Sequence, residues 1–109
     1  MFERGDVVSV DFPFADGGAS KVRPALVLSN ATIATTGNLI IAMISSRPSP
    51  AAPNVPLAPD MLSHPLPKSS NVRCHRLYTI DAALVRARYS RVSDEGMQLI
   101  FETVVSILR

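Results

Sequence analysis

The stretch RPALVLS at residues 23–29 follows the stretch GDVVSVDFPF at residues 5–14, and each of them predicts a β-strand. Apolar and polar side chains alternate from Val8 to Phe12 in the earlier stretch, which is typical of a strand with one buried face. The later stretch is apolar almost throughout, which predicts a strand buried on both faces. Because Pro24 has no backbone N–H, it must lie at the first residue of this strand or at a sheet edge.

Downstream of these strands, the pattern predicts a small mixed barrel. The run at 39–45 is apolar and predicts another strand buried on both faces. The remaining predicted elements are strands at 70–78 and 85–90, a short edge strand near 55–57, a turn within 30–38 and a capped helical turn at 79–83. Seven of the nine prolines lie within 48–67, so this segment is interpreted as a loop packed on the barrel.

The last segment of the chain predicts an amphipathic helix that closes one end of the barrel. Ser93 is a candidate N-cap, and Asp94 and Glu95 suit the positive first turn. Val92 and Met97 occupy the positions of a hydrophobic staple. Apolar side chains then recur at helical spacing: Met97, Ile100, Phe101, Val104, Val105 and Leu108. The predicted fold class is mainly β with α, a single domain over residues 1–109 with about five to seven short strands.

The composition limits the class of protein. A chain of 109 residues forms one domain with its own core, and no apolar run approaches the ~20 residues of a membrane span. The N-terminus lacks a signal-peptide pattern and Cys74 is the single cysteine, which favours a cytoplasmic protein without disulfides. No cysteine–histidine cluster has zinc spacing, so neither a metal nor another cofactor is expected. The formal net charge of +2 permits nucleic-acid binding without indicating it.

Arg23 is placed at the entrance of a strand, directly after a loop that contains Gly17 and Gly18. A guanidinium held there adds little to a core, but its planar fork can bind two oxygens of a phosphate. The structural alternative is an ion pair with Asp11 or Asp16. A guanidinium stays protonated, so Arg23 is unsuited to act as a general base.

Several pieces of the sequence, in this order, resemble the MazF/PemK family of toxins. They are GDVVSVDFPF, RPALVLS, the apolar strand that ends in the hydroxyl of Ser45, the run YTID at 78–81 and the C-terminal helix. The resemblance implies an SH3-like barrel of the CcdB/MazF/PemK type, a homodimer, and a small antitoxin as partner. It also implies cleavage of single-stranded mRNA without a metal, which leaves 2′,3′-cyclic phosphate and 5′-hydroxyl ends.

The same resemblance places the family's catalytic arginine at Arg23 and its hydroxyl residue, usually threonine, at Ser45. Serine keeps the oxygen but loses the β-methyl group that restricts χ1. Ser46 is adjacent, so a register one residue later stays open, and a strand-end hydroxyl bonded to backbone is the structural alternative for Ser45. The residues predicted to contact RNA are Phe14, Lys21, Ser46, Arg47, Arg73, His75, Arg76 and Tyr78.

The residue that removes the 2′-proton is not identified by the sequence. His75 and His64 are the two histidines, and nothing in the sequence brings them together. The strand alternation places His75 on the same face as Arg73. Cys74 lies between these two residues, which favours a reactive thiol, but the alternation points it inward as a core residue.

Two other functions remain as alternatives: a CcdB-like toxin that poisons DNA gyrase, and a catalytically silent binding or regulatory module. The Arg23-Pro24 pair favours the nuclease. For a nuclease toxin, the disordered acidic tail of the antitoxin is expected to lie over the groove that contains Arg23. No membrane partner is expected.

Overall fold

The computed structural model describes residues 2–12, 21–47 and 53–109. The strands in these ranges are β1 (Asp6–Phe12), β2 (Lys21–Val27), β3 (Asn38–Ser45), β4 (Asn54–Pro56), β5 (Asn71–Asp81) and β6 (Val85–Arg91). The helices are a short α1 (Ala31–Ala34) and the terminal α2 (Asp94–Leu108), with 3-10 turns at Pro59–Met61 and Ala82–Leu84. Within these ranges, no helix has both the length and the apolar character needed to cross a membrane.

The described strands form one antiparallel sheet in the order β4-β5-β3-β2-β1-β6. Its two edges approach each other because the segment after β4 reaches the end of β6. Leu62 and Val92 form an isolated antiparallel bridge, and the N–H of Ser63 donates to the carbonyl of Arg91 at 2.9 Å. These bonds close the sheet toward a barrel, which confirms the predicted fold class, and β4 is the short edge strand expected near residues 55–57.

The strand β2 is covered on both sides over only part of its length. Residues Ala25–Val27 pair with β3, whereas the residues before them pair with β1 alone. The side chains from Lys21 to Arg23 are therefore exposed, and the predicted burial on both faces holds only from Ala25 onward. Pro24 lies in the part without a β3 partner, as its missing N–H requires.

The uninterrupted alternation predicted for residues 70–78 is wrong because β5 contains an irregularity. Its pairing with β3 passes from Arg73 directly to Leu77, so residues 74–76 have no partner in the register. Such an insertion bends a strand and changes the direction of its side chains. Val72 and Cys74 lie in one cluster, as the alternation predicts, whereas after the irregular residues Leu77 packs against that cluster and Tyr78 against the other, the reverse of the prediction. Arg73 and His75 nevertheless line the same groove, although Arg73 is buried and His75 is exposed.

Two connections differ in detail from the predicted turns. Between β2 and β3, the chain forms the single turn of α1, and Asn30 Oδ1 caps it by accepting from the N–H of Thr32 at 3.0 Å. Between β5 and β6, the predicted capped turn is present but begins later. Asp81 Oδ1 accepts from the N–H of Ala83 at 2.9 Å at the start of this turn.

Apolar side chains pack on both sides of the sheet in two clusters. Val8, Val10 and Phe12 belong to one cluster, as their alternation predicts, and Val7 belongs to the other. The second cluster is covered by α2.

The terminal helix α2 starts as predicted, with Ser93 Oγ accepting from the N–H of Gly96 at 3.1 Å. Met97, Ile100 and Val104 are buried against the sheet. The sheet does not cover the whole of the predicted apolar face: Leu108, at the C-terminal end of the helix, remains 71% exposed.

Candidate functional site

A groove of about 980 Å³ lies where the exposed half of β2, the end of β3 and the irregular part of β5 meet. It brings together all the predicted site residues that the structure describes: Lys21, Arg23, Ser45, Ser46, Arg47, Arg73, His75, Arg76 and Tyr78. Phe14, also predicted, lies outside the described residues. The groove therefore collects side chains from positions 21–78 that share no sequence pattern.

The charged side chains that line this groove in the described ranges are all positive. Six lining side chains carry a formal positive charge: Lys21, Arg23, Arg47, Lys68, Arg73 and Arg76. None of the described residues that line it is an aspartate or a glutamate. We call it the cationic groove. Walls with one sign of charge concentrate the field in a cleft, so this groove attracts anions.

Arg23 projects from the part of β2 that pairs with β1 alone, opposite Val10. It is exposed, and its guanidinium makes no ion pair and no hydrogen bond with any residue in the described ranges. The alternative of a structural ion pair is therefore absent for Asp11, whereas Asp16 lies outside the described residues. The donors of Arg23 are available to a ligand.

Ser45 is the last residue of β3 and is half-buried at the wall of the cationic groove. Its Oγ accepts from the N–H of Arg47 at 3.1 Å and from Nη2 of Arg73 at 3.3 Å. The backbone bond expected as the structural alternative is thus present, but it uses the oxygen and not the hydroxyl hydrogen. Ser46 is exposed, and its hydroxyl makes no hydrogen bond to the described residues. The fixed hydroxyl is that of Ser45.

Arg73 lies below the surface of the groove, and only 8% of the residue is exposed. Besides Ser45, its guanidinium donates to Asn54 Oδ1 at 3.5 Å and to the carbonyl of Arg47. None of its partners in the described ranges is a carboxylate. Arg73 lines the cationic groove while its described hydrogen bonds go to neutral oxygens, and its contact with RNA stays a prediction.

The aromatic and polar side chains at the far wall belong to β1 and β5. The rings of Tyr78 and Phe12 meet edge to face, with centroids 4.9 Å apart and an interplanar angle of 83°. Nη2 of Arg76 donates to the hydroxyl of Tyr78 at 3.2 Å. The phenol of Tyr78 and the guanidinium of Arg76 are therefore joined to each other at this wall.

The two histidines are in different places. His75 lines the cationic groove and is exposed. His64 instead contacts Ser63 through Nδ1 at 3.2 Å and accepts through its carbonyl from Ser90 Oγ at 2.7 Å, on the β6 edge. The structure does not bring them together as an acid–base pair.

Cys74 is fully buried in the cluster beneath α2. Desolvation by this burial raises the pKa of its thiol. The predicted inward placement of Cys74 is confirmed. The pKa of its thiol is raised by burial and not lowered by the neighbouring Arg73 and His75.

Several residues that line the groove were missed by the sequence analysis, among them a lysine and a tyrosine. Lys68 and Tyr89 also line the cationic groove, the first from the segment before β5 and the second from β6. Neither belongs to a motif, and only the closure of the sheet brings them to this wall. No local signal identifies them.

The fold is similar to solved structures of toxins. Residues 3–108 match the family model described as PemK-like, MazF-like toxin of type II toxin-antitoxin system. A mycobacterial endoribonuclease solved with its cognate antitoxin has a TM-score of 0.80 and 18% identity, over 99% of this chain and 95% of that one. MazF of Deinococcus radiodurans has a TM-score of 0.77 and 24% identity, over 98% and 96%. No curated protein matches the sequence significantly.

Proposed function

This chain belongs to the family of PemK-like, MazF-like toxins of type II toxin–antitoxin systems, and from that premise we propose that it is a sequence-specific endoribonuclease. It cleaves single-stranded mRNA in the cytoplasm without a metal and so arrests translation and growth. The observation that carries the proposal is the cationic groove, in which Arg23 has no described partner and no described lining residue is acidic. The polymer that such a groove binds is a polyanion.

The proposed reaction is attack of the ribose 2′-oxygen on the adjacent phosphate. The O–P bond to the 2′-oxygen forms, the P–O bond to the 5′-oxygen breaks, and the products are a 2′,3′-cyclic phosphate and a 5′-hydroxyl. Extra negative charge develops on the phosphate oxygens in the transition state. Arg23 binds two of these oxygens, and the Ser45 hydroxyl donates to the same phosphate.

The reaction also moves a proton from the 2′-hydroxyl to the departing 5′-oxygen. Imidazole is the side chain most often used for proton transfer near neutral pH. His75 is the histidine of the cationic groove, at the irregular part of β5. We assign the proton transfer to His75, and a His75→Gln variant should lower the rate of cleavage while RNA still binds.

The sequence preference is proposed to arise at the wall of the groove that contains Tyr78 and Arg76. Unstacked RNA bases bind to aromatic rings and guanidinium planes. Tyr78 and Arg76, which are hydrogen-bonded to each other, supply both kinds of surface. Phe14 from the first loop remains a further predicted base contact.

Two protein partners belong to the proposal. An acidic, disordered antitoxin tail is complementary to the cationic groove and would inhibit by covering Arg23. MazF of Deinococcus radiodurans has been solved as a MazE–MazF complex. A homodimer is proposed to form through apolar side chains of α2 that stay 40–71% exposed in one copy: Leu99, Val105, Ile107 and Leu108. Sedimentation of the purified protein should give twice the mass of 11.7 kDa.

Incubation of the purified protein with a long single-stranded RNA in excess EDTA tests the activity. We expect discrete products with 2′,3′-cyclic phosphate and 5′-hydroxyl ends. An Arg23→Ala variant prepared identically controls for contaminating nuclease, and Arg86→Met controls for loss of one positive charge outside the groove, because Arg86 is exposed and does not line it. RNA that stays intact would contradict the proposal. Intact RNA with trapped gyrase–DNA complexes would support the CcdB-like alternative, and failure to slow growth on expression would support the silent module.

A further inference from the structure

Arg73 is an arginine buried without an acidic partner among the described residues. A guanidinium removed from water is strongly destabilising unless its donors are bonded. Here its hydrogen bonds go to two neutral oxygens and one backbone carbonyl, at Ser45, Asn54 and Arg47. A chain that needed only a filled core could place an apolar residue there, so this arrangement calls for a functional explanation.

The irregularity in β5 is what allows Arg73 to reach these acceptors. Because pairing with β3 passes from Arg73 to Leu77, Arg73 stays opposite Met43, close to the end of β3. Its fork then spans three elements: the last residue of β3, the turn that follows it, and the edge strand β4. A lysine ammonium, a compact point charge, lacks the planar geometry that holds several acceptors at once.

The hydrogen bonds at Ser45 leave its hydroxyl with one direction in which to act. The oxygen accepts from the N–H of Arg47 and from Arg73, and a hydroxyl has two acceptor lone pairs and one donor hydrogen. Because both lone pairs of the Ser45 oxygen are occupied, its hydroxyl hydrogen is the part of the group that can still bond. A positively charged groove attracts anions, so we expect this hydrogen to donate to an anion. The nearby positive charge also strengthens the donor.

We propose that Arg73 is a positioning residue that holds the Ser45 side chain in a single rotamer, with its hydroxyl hydrogen directed to the scissile phosphate. Serine has no β-methyl group, so its χ1 is not restricted by its own structure as that of a threonine is. Arg73 supplies the restriction from outside. The inference rests on the proposed nuclease function for its catalytic consequence, but the rotamer itself is a property of the free protein.

The first experiment measures the rotamer without any RNA. Three-bond couplings of the Ser45 β-protons by NMR should report one χ1 rotamer in the wild type and an average over rotamers in Arg73→Met. Methionine has a length similar to that of arginine and can fill the buried space. Thermal unfolding of the Arg73→Met variant shows whether the fold is kept. If Arg73→Met is unfolded, Arg73→Leu, which also lacks a donor, is measured in its place. An averaged χ1 in the wild type, or a single rotamer in a folded variant, would overturn the proposal.

The second experiment measures RNA cleavage in four proteins: wild type, Arg73→Met, Ser45→Thr, and the variant with both changes. Arg73→Met should lower kcat about tenfold with little change in KM, because a misdirected catalytic group slows chemistry more than binding. Ser45→Thr alone provides the reference kcat for the double variant, since the β-methyl group of threonine restricts χ1 without help from Arg73. In the Arg73→Met background, Ser45→Thr should recover most of the lost kcat.

This rescue separates positioning from a general structural role. A structural defect at Arg73 would not be repaired by one methyl group at Ser45, so a double variant as slow as Arg73→Met would overturn the inference. Absence of cleavage by the wild type itself would instead remove the proposed nuclease, and the NMR result would still decide the rotamer. The charge-matched control is Arg86→Met, which should leave kcat unchanged.

Discussion

Arginines occur in two clusters of this molecule, and the clusters differ in what surrounds them. At the start of β1, the fully buried Asp6 pairs with Arg91 at 2.8 Å and with Arg88 at 3.7 Å, and Glu3 pairs with Arg91 at 3.3 Å. In the cationic groove, no described lining residue is acidic. Arginines are therefore paired with carboxylates at the start of β1, whereas those of the cationic groove have no carboxylate partner among the described residues.

The Asp6 cluster fixes the N-terminus of the barrel. Asp6 Oδ2 also accepts from the N–H of Glu3 at 2.8 Å, which shapes the turn before β1. Gly5 in that turn has φ of +96°, a conformation that favours glycine. Its backbone bonds to Val27 and Val92 join the turn to β2 and to the start of α2. The arginines there are structural, whereas the fold makes no described use of the Arg23 guanidinium.

A count of arginines along the chain therefore does not locate the candidate site. The sequence has five arginines between residues 73 and 91. Arg73 and Arg76 line the cationic groove, whereas Arg88 and Arg91 belong to the Asp6 cluster. The presence or absence of a carboxylate partner separates the two groups.

The strongest test of this difference is Arg23→Ala. Loss of one donor to the developing charge should lower kcat about 10²–10³-fold, or about 2.7–4 kcal/mol. The free energy of unfolding should be unchanged, because Arg23 is exposed and has no described partner. Single-turnover cleavage and urea unfolding of the same preparation measure the two effects. Cleavage close to wild type would show that the site is assigned wrongly.

At the Asp6 cluster we expect a loss of stability without a loss of activity. Asp6→Ala removes charge-assisted hydrogen bonds and leaves the N–H of Glu3 without its acceptor, so it should lower the free energy of unfolding by about 1.5–3 kcal/mol. The kcat per folded molecule should be retained. Glu3→Gln is the matched control: the Glu3 side chain is 66% exposed, and surface pairs contribute about 0–1 kcal/mol. Equal stability of Asp6→Ala and wild type in urea would contradict the structural role.

The salt dependence of RNA binding should also distinguish the cationic groove from the rest of the surface, although by a smaller effect. Each cation that contacts a phosphate of single-stranded nucleic acid adds about 0.7 to the slope of log Kd against log salt. Lys68→Met should reduce that slope by about this amount, measured with an RNA whose 2′-hydroxyls are replaced by hydrogen so that it is not cleaved. Arg86→Met, outside both clusters, should leave the slope as in wild type. An unchanged slope for Lys68→Met would exclude a phosphate contact at that wall.

The smallest predicted effect concerns pH and the core beneath α2. Burial raises the pKa of Cys74 from its ordinary value of 9.0 in the folded protein. The unfolded thiol therefore ionises first, so the stabilising effect is complete below that value and is lost as pH rises through the folded pKa. Between pH 8 and 10, wild type should lose stability faster than Cys74→Ala, by at most about 1.4 kcal/mol per pH unit. Parallel curves in urea would show that the thiol does not ionise differently on folding.

Much of the fold was predictable because its signals are local. The alternation from Val8 to Phe12, the apolar run of β3, and the cap at Ser93 each depend on neighbours a few residues away. Of the proposed site residues, Arg23 was suggested by its place at a strand entrance and by the resemblance, whereas Ser45 was suggested by the resemblance. Their shared groove, together with Lys68 and Tyr89, depends on sheet closure and could not be derived from spacing.

The order of the strands, the terminal helix and the residue types available for phosphate chemistry could all be read from the sequence. The tertiary structure decided which charges are neutralised, because ion pairs such as Asp6 with Arg91 join positions far apart in the chain. It also decided that Arg73 is buried against Ser45. The irregular pairing of β5 with β3 produces that contact, and a period of two read along one strand cannot reveal a change in register that only the neighbouring strand defines.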